Sequence, residues 1–89
     1  MLGVGVKVQV VAGEIDDFND ISENYVWYKI NRKPDNAPSD FAIYGGFIFQ
    51  MTVSWNIKLQ LAINYDGSGT FIRSLWGGNW NSWKKLSLA

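Results

Sequence analysis

The tract from Phe47 to Tyr65 constrains the fold more than any other part of the chain, because apolar and polar side chains alternate along it. Most even-numbered positions are polar, and every odd-numbered position is apolar: Phe47, Phe49, Met51, Val53, Trp55, Ile57, Leu59, Leu61, Ile63 and Tyr65. Successive side chains of a strand point to opposite faces, so the pattern predicts β-structure whose odd-numbered face is buried. One strand of this length would reach about 60 Å, whereas 89 residues form a domain with a radius of gyration of about 12 Å. The tract must therefore fold back as an antiparallel hairpin.

The turn of this hairpin is predicted at Ser54-Trp55-Asn56, the most polar break in the tract. A loop with an odd number of residues keeps apolar side chains opposite one another, in the pairs Val53/Ile57, Met51/Leu59, Phe49/Leu61 and Phe47/Ile63. A two-residue loop at Trp55-Asn56 would pair Ser54 with Ile57 and place apolar residues opposite polar ones. We therefore predict the odd loop, with Trp55 at or near its tip.

Shorter segments predict the remaining elements. Residues 4–11 and 24–30 are predicted as strands, 15–21 as a short helix or turn, 31–40 as a loop and 41–46 as a short strand or bend. Glycine turns at residues 66–69 and 77–79 lead into two further strands, and across the first of them Ile63 could pair with Ile72 or with Phe71. The fold class is predicted as all-β, or β-rich α+β: a small antiparallel sheet or sandwich of about six strands.

Composition excludes several classes of function. The chain has no cysteine and no histidine, which removes thiolate chemistry, Cys-based metal sites and the commonest general base. Lysine plus arginine balances aspartate plus glutamate at eight each, so no basic surface points to nucleic acid. No apolar run approaches the roughly 20 residues of a membrane span, and the N-terminus lacks the features of a signal peptide. The length fits one domain, residues 1–89.

The acidic residues between positions 14 and 23 are the remaining candidates for metal binding or catalysis. Their spacing lacks the ligand pattern and the glycine of a calcium loop, so we interpret them as helix caps and solvated charge. Without histidine or cysteine, a glycan hydrolase would need a pair of carboxylates, one of them a buried acid. We therefore expect no catalytic residue, no metal and no cofactor.

From Asp17 to Leu86 the chain carries an ordered set of short motifs. They are the acidic step Asp17-Phe18-Asn19-Asp20-Ile21, the aromatic strand Tyr25-Val26-Trp27-Tyr28, a loop from Pro34 to Pro38, the strands Gly46-Phe47-Ile48-Phe49 and Leu59-Gln60, the step Phe71-Ile72-Arg73, and the closing run Gly78-Asn79-Trp80-Asn81-Ser82-Trp83-Lys84-Lys85-Leu86. In this order they resemble the pyocin-knob domain of bacteriophage tail fibres and R-type pyocin fibres. The resemblance covers residues 14–86 and leaves residues 1–13 as a separate N-terminal strand.

The resemblance implies a β-rich, non-enzymatic knob, usually homotrimeric, at the tip of a virion tail fibre, where it acts outside the host cell. The expected function is receptor binding: host attachment to a bacterial surface glycan or other receptor. The alternative is a structural trimerisation or spacer module without a receptor site of its own. Both the fold and the fibre assignment depend on the inward orientation of the odd-numbered face in the tract 47–65.

The candidate receptor-binding residues are exposed aromatic or polar side chains in predicted turns: Trp55, Asn56, Asp66, Ser68 and Trp76. An aromatic ring can stack on the apolar face of a pyranose, and loops on a rigid scaffold commonly carry specificity. Trp80 and Trp83 could do the same, but their place in the closing run favours a structural role in the core.

Three polar residues are expected to be structural. Arg73 is predicted to form a buried or interface salt bridge, with Asp66 or with an acid in residues 14–23. Gln50 and Gln60 are predicted to face each other across the hairpin, on its solvent-exposed side.

Overall fold

The structure is a computed structural model and describes residues 10–12, 15–22 and 26–87. Within this part of the chain, seven strands and one 3-10 turn form the fold. The strands are β1 (Val10–Ala12), β2 (Trp27–Ile30), β3 (Gly46–Ser54), β4 (Ile57–Asn64), β5 (Thr70–Trp76), β6 (Asn79–Trp80) and β7 (Lys84–Lys85).

The strands form one sheet in the order β1-β2-β3-β4-β5-β6, and β7 also pairs with β5. Every pairing is antiparallel except that of β1 with β2, which is parallel. The long strands β3 and β4 lie at the centre, as the alternating tract requires. The prediction of an all-β fold built on an antiparallel sheet is therefore confirmed.

Three predicted elements differ in extent from the prediction or lie partly outside the described residues. Of the strand predicted at residues 4–11 the described part begins at Val10, and positions 4–9 lie outside the described residues. Strand β2 begins at Trp27, and positions 24 and 25 also lie outside them. The helix predicted at 15–21 is a single 3-10 turn, Phe18–Asp20, because the chain becomes extended again at Ile21. Asp17 caps this turn, and its side chain accepts a hydrogen bond of 2.8 Å from the backbone N–H of Asn19.

The turn between β3 and β4 differs from the prediction. It is the two-residue loop Trp55-Asn56, with Ser54 opposite Ile57. A register shift between Thr52 and Ser54 adds one residue to β3 and restores the predicted pairs farther along: Met51/Leu59, Phe49/Leu61 and Phe47/Ile63. The predicted pair Val53/Ile57 was therefore wrong. A β-bulge in β3 keeps apolar residues opposite one another along the rest of the hairpin, so an odd loop is not needed.

The buried face of the hairpin is the even-numbered one, so the predicted orientation of the tract was wrong. Ile48, Gln50, Gln60, Ala62 and Asn64 are buried, each at most 4 % exposed. The odd-numbered side chains are half-buried or exposed, up to 71 % for Val53 and 80 % for Trp55. The reason is tertiary, because the segments that cover the sheet bring their apolar and polar groups to the even-numbered face.

The cover of that face comes from segment 15–22, segment 31–45 and the residues around Trp83. The apolar core contains Phe18, Ile21, Tyr28, Ile30, Phe41, Ile48, Ala62 and Phe71, with Trp83 packed against it. Phe18 makes edge-to-face contacts with Phe41, at 5.4 Å between centroids, and with Trp83, at 6.0 Å. Backbone bonds from Phe18 to Asp35 and from Asp35 to Asp16 join the first two covering segments.

Two glycines let segment 31–45 return close to the sheet. Gly45 has a φ of +103°, which side-chain-bearing residues rarely adopt. A Cβ atom on Gly46 would lie 2.1 Å from the carbonyl oxygen of Ile63 in the neighbouring strand. The predicted strand or bend at 41–46 is thus a turn that leads into β3. The turn can form because Gly45 and Gly46 have no side chain.

The β4–β5 connection follows neither predicted register. Ile63 pairs with Thr70, Ala62 with Phe71 and Leu61 with Ile72. This register keeps Phe71 on the buried face beside Ala62 and leaves Ile72 on the opposite face with Leu61.

Candidate functional site

One end of the sheet presents two exposed tryptophans on adjacent turns. We call this surface the tryptophan tip and define it as Trp55, Asn56, Trp76, Gly77, Gly78 and Asn79. Trp55 is 80 % exposed at the β3–β4 turn, and Trp76 is 70 % exposed at the end of β5. The backbone N–H of Gly78 donates to the carbonyl oxygen of Asn56 over 3.3 Å, which joins the two turns.

The local sequence explains why both turns are tight. Gly77 and Gly78 have φ values of +64° and +86°, the conformation that a two-residue hairpin loop requires at both central positions. In the other turn, the hydroxyl of Ser54 lies 2.7 Å from the side-chain oxygen of Asn56 and donates to it. Both tryptophans are therefore held on a short, braced scaffold.

The chemistry of the tip suits a sugar better than a catalytic reaction. It offers aromatic faces next to the amides of Asn56 and Asn79, and no residue of the tip titrates near neutral pH. Aromatic faces pack against the C–H groups of a pyranose, and amides can hydrogen-bond to its hydroxyls. Trp55, Asn56 and Trp76 were all predicted as candidate residues, and the structure places them together.

The other two candidates, Asp66 and Ser68, lie at the opposite end of the sheet. They belong to the β4–β5 turn, so the length of β4, about 24 Å, separates them from Trp55. Asp66 accepts a hydrogen bond from the Tyr44 hydroxyl and one of 2.9 Å from the backbone N–H of Ser68. The hydroxyl of Ser68 accepts one of 3.0 Å from Asn64. Both side chains therefore help to hold the turn together.

Hydrogen bonds explain the electrostatics of this second turn. The bond from Tyr44, followed by those from Ser68, lowers the pKa of Asp66 to about 2. The same bond to Asp66 raises the pKa of Tyr44. A carboxylate with such donors remains ionised at neutral pH and is not available as a general acid.

The polar residues that were expected at the surface or in a salt bridge form a buried network. Gln50 and Gln60 do face each other, as predicted, with 2.8 Å between the Gln60 Nε2 and the Gln50 Oε1, but both are buried. Gln60 also donates to the carbonyl oxygen of Phe18 and accepts a bond of 2.8 Å from the Nε of Arg73. Gln50 donates to the carbonyl oxygen of Ile21 over 3.0 Å. The two glutamines thus bind the covering segment 15–22 to the sheet.

Arg73 is the charged member of this network. Its guanidinium lies 4.0 Å from the centroid of Trp80 and 4.7 Å from that of Trp83, and its Nη2 donates to the side chain of Asn19 over 2.8 Å. Burial lowers the pKa of Arg73 to about 10, and the negative charge of Asp17 opposes the shift. Among the described residues the predicted buried salt bridge of Arg73 does not form, and the ion pair there joins Arg32 and Asp16. A salt bridge of Arg73 across an interface stays a prediction.

The tandem tryptophans of the closing run belong to the same assembly. Trp80 and Trp83 are half-buried, and the indole N–H of Trp83 donates to the carbonyl oxygen of Asn36 over 2.8 Å. This packing accords with the structural role expected for them. The sequence signal for the network was the placement of Gln50, Gln60 and Arg73 in adjoining strands, but the even-numbered face of the hairpin was expected to be exposed to solvent.

Two depressions on the described surface are small. One of about 290 Å³ lies beside Ser68, Thr70 and Lys85, and another of about 160 Å³ lies beside Leu59, Arg73 and Lys84. Pockets for small molecules usually measure about 300–1,000 Å³, so both are better suited to surface contact than to enclosing a ligand.

Among the described residues, no group of three potential metal-ligating side chains comes together. In the same ranges, no helix has the length and hydrophobicity needed to span a bilayer. Comparisons with protein-family models, with curated protein sequences and with solved structures find no match to this chain.

Proposed function

We propose that the chain is a receptor-binding domain of a bacteriophage or prophage tail fibre, which attaches to a bacterial surface glycan. It acts as a homotrimer at the fibre tip, outside the host cell, and requires no catalytic step or cofactor. The observation that carries the proposal is the tryptophan tip, where two highly exposed indoles lie on turns joined by a hydrogen bond. The tryptophan tip supports the receptor-binding role, whereas the tail-fibre assignment comes from the resemblance of the ordered motifs and loses the support of an inward odd-numbered face, an orientation that is wrong.

Exposure is the reason to assign function to these two tryptophans. A tryptophan that only completes a core buries most of its surface, as Trp83 does in part by packing on Phe18. Trp55 is exposed over 80 % of its surface at a hairpin tip and contributes little to that core. Leaving so much aromatic area in water is unfavourable unless a ligand or another protein covers it.

The test is binding of the purified chain to immobilised lipopolysaccharide and capsular polysaccharide from a panel of bacteria. Trp55→Ala should weaken binding about tenfold, which corresponds to about 1.4 kcal/mol of lost contact. Trp55→Phe, which keeps an aromatic face, should retain most of the affinity. Ser68→Ala, at the opposite end of the sheet, serves as the control for a glycan site at the tip and should leave binding unchanged.

Two results would contradict the proposal. One is the absence of binding to any polysaccharide or whole cell in the panel. The other is binding that survives Trp55→Ala and Trp76→Ala together but is lost in Ser68→Ala, which would move the receptor site to the β4–β5 turn.

The second candidate function is a structural trimerisation or spacer module of a fibre. The outer, odd-numbered face of the sheet favours it, because large apolar side chains there are not covered by any described element. Oligomerisation without binding to any cell surface would support this alternative.

A further inference from the structure

The two turns of the tryptophan tip share one arrangement, an indole beside a side-chain amide. In the β3–β4 turn, Trp55 is followed directly by Asn56. At the other turn, Trp76 and Asn79 are cross-strand partners, which places their Cβ atoms about 5 Å apart. Asn56 is half-buried, and the other three residues are exposed. Each indole therefore has a hydrogen-bonding side chain next to it.

The amide of Asn56 is held in one orientation. Its Oδ1 accepts the hydrogen bond from the Ser54 hydroxyl, and its backbone carbonyl oxygen accepts the bond from the N–H of Gly78. Its Nδ2 has no hydrogen-bond partner within the described part of the chain. Because Nδ2 carries two N–H groups, the side chain of Asn56 offers donors to a ligand.

The amide of Asn79 offers both kinds of group. Its side chain makes no hydrogen bond to any described residue, so its Oδ1 can accept and its Nδ2 can donate. The ring of Trp55 lies close to the same turn, because a Cβ atom on Gly78 would be 3.8 Å from the Cζ3 of Trp55. A glycan bound on one turn can therefore also contact the aromatic and amide groups of the other.

We propose that the sugar recognised by the tryptophan tip is an N-acetylated amino sugar of the surface glycan. The inference rests on the proposed glycan-binding function and names the chemical class of that ligand. An acetamido group combines a carbonyl oxygen, an N–H group and a methyl group. The carbonyl oxygen can accept from the Nδ2 of Asn56, the N–H can donate to the Oδ1 of Asn79, and the methyl group can pack on an indole face.

A plain hexose is a weaker match to these groups. A hydroxyl in place of the acetamido group can still accept a hydrogen bond from Asn56. It has no methyl group to bury against an indole, and burial of apolar surface is what an exposed aromatic ring offers a ligand. The tip should therefore discriminate between two sugars that differ only in this substituent.

An acidic sugar is also a weaker match, because a carboxylate is bound most strongly by a charged donor. None of the six residues of the tip is charged. Lys58 follows the β3–β4 turn, but it lies opposite Thr52 on the even-numbered face of the hairpin. Trp76 pairs with Ile57, on the other face. The tip thus presents neutral amides rather than a cation.

The test is titration of the purified chain with two matched oligosaccharides, followed by isothermal titration calorimetry. Chito-oligosaccharide is a chain of N-acetylglucosamine, and cello-oligosaccharide is the same chain with a hydroxyl in place of each acetamido group. We expect the chito-oligosaccharide to bind at least about tenfold more tightly. Trp55→Ala should weaken its binding about tenfold, as it should for the surface glycan.

The matched variants exchange one amide for a carboxylate. Asn56→Asp removes the Nδ2 donors and keeps an oxygen for the Ser54 hydroxyl, so the turn should still form. It should reduce the preference for chito-oligosaccharide to less than about threefold. Asn79→Asp, at a side chain without a described partner, tests the second turn independently and should also reduce the preference. Asn81→Asp changes an exposed amide outside the tip and should leave the preference within about twofold of the wild type.

The outcomes separate this inference from the proposed function. Equal binding of the two oligosaccharides, or a preference that survives both Asn56→Asp and Asn79→Asp, would overturn the inference and leave glycan binding in place. Binding to a bacterial polysaccharide that depends on Trp55 but is not inhibited by chito-oligosaccharide would do the same. Failure to bind any oligosaccharide and any polysaccharide of the panel would contradict the proposed function, and the inference with it.

Discussion

Replacing Gln60 by leucine tests whether a buried polar network, and not apolar contact alone, binds the covering segment to the sheet. Gln60 has no exposed surface. It accepts a hydrogen bond from the Nε of Arg73 and donates one to the carbonyl oxygen of Phe18. Leucine has a similar volume and fits the apolar surroundings, so the loss of these bonds should dominate the effect.

The magnitude follows from the groups left behind. Removing the acceptor of a buried, charged donor such as Arg73 costs about 2 kcal/mol, and removing the donor to the Phe18 carbonyl costs about 1 kcal/mol. The expected loss is therefore about 3 kcal/mol of the free energy of unfolding, out of the 5–15 kcal/mol that is typical of a domain. For a chain of this size the melting temperature should fall by about 12–24 °C.

The assay is urea unfolding followed by far-UV circular dichroism and tryptophan fluorescence. Asn81→Leu is the matched control, because Asn81 is an exposed amide whose bond to the Ser74 hydroxyl, at 3.1 Å, should be worth no more than about 0.5 kcal/mol. In the double variant Gln60→Leu with Arg73→Met, the second change removes the charge left without an acceptor. The double loss should be smaller than the sum of the single losses by about 1 kcal/mol.

A loss in Gln60→Leu no larger than that in Asn81→Leu, with an unchanged dependence on urea, would refute this account. So would strict additivity in the double variant, because it would mean that Gln60 and Arg73 do not stabilise each other.

Two other predictions concern the glycine approach and the β4–β5 turn. Gly46→Ala should lower the free energy of unfolding by about 3 kcal/mol in the same urea assay, because its Cβ would lie 2.1 Å from the Ile63 carbonyl oxygen. The control Gly67→Ala, at a φ of +76° with open space around it, should lower it by only about 1 kcal/mol. Similar losses in the two variants would contradict the close approach of Gly46 to β4. Tyr44→Phe should raise the pKa of Asp66 from about 2 towards 3.8, as followed by NMR of the carboxyl carbon. Since the folded-state pKa of Asp66 lies below its unfolded value, the stability it contributes is complete above about pH 4 and is lost as the pH falls towards 2. Tyr44→Phe closes the gap between the two pKa values, so the free energy of unfolding should depend less on pH between about 2 and 4; an unchanged titration would exclude the hydrogen bond.

Much of the candidate site could be predicted because turns are local. Polar breaks and glycine pairs placed Trp55 and Trp76 at turns. That Trp55 and Trp76 lie close together could not be predicted, since it depends on which strands pair. The pairing of β4 with β5 brings the two turns to the same end of the sheet. Asp66 and Ser68 were predicted as receptor-binding residues together with the two tryptophans, but β4 separates them, and they lie at the other end of the sheet.

The roles of the polar core residues show the limit of pattern analysis. Gln50 opposite Gln60 follows from the spacing of the hairpin, and the pairing is present. That both are buried does not follow, because a glutamine at a strand position is usually solvated. Burial became favourable only because the backbone carbonyls of Phe18 and Ile21 and the guanidinium of Arg73 meet their amides.

By itself, the sequence determined that residues 47–65 form an antiparallel hairpin. Apolar side chains that alternate every two residues indicate a strand, and a strand of this length must fold back to fit the radius of so small a domain. It also determined which side chains share a face, with the pairs from Met51/Leu59 to Phe47/Ile63 present in the structure. Only the tertiary structure decided which face is buried, because that depends on the segments that cover it. The backbone carbonyls of those segments accept hydrogen bonds from the buried amides of Gln50 and Gln60, which lie far away in sequence, and alternation along a strand carries no information about such partners.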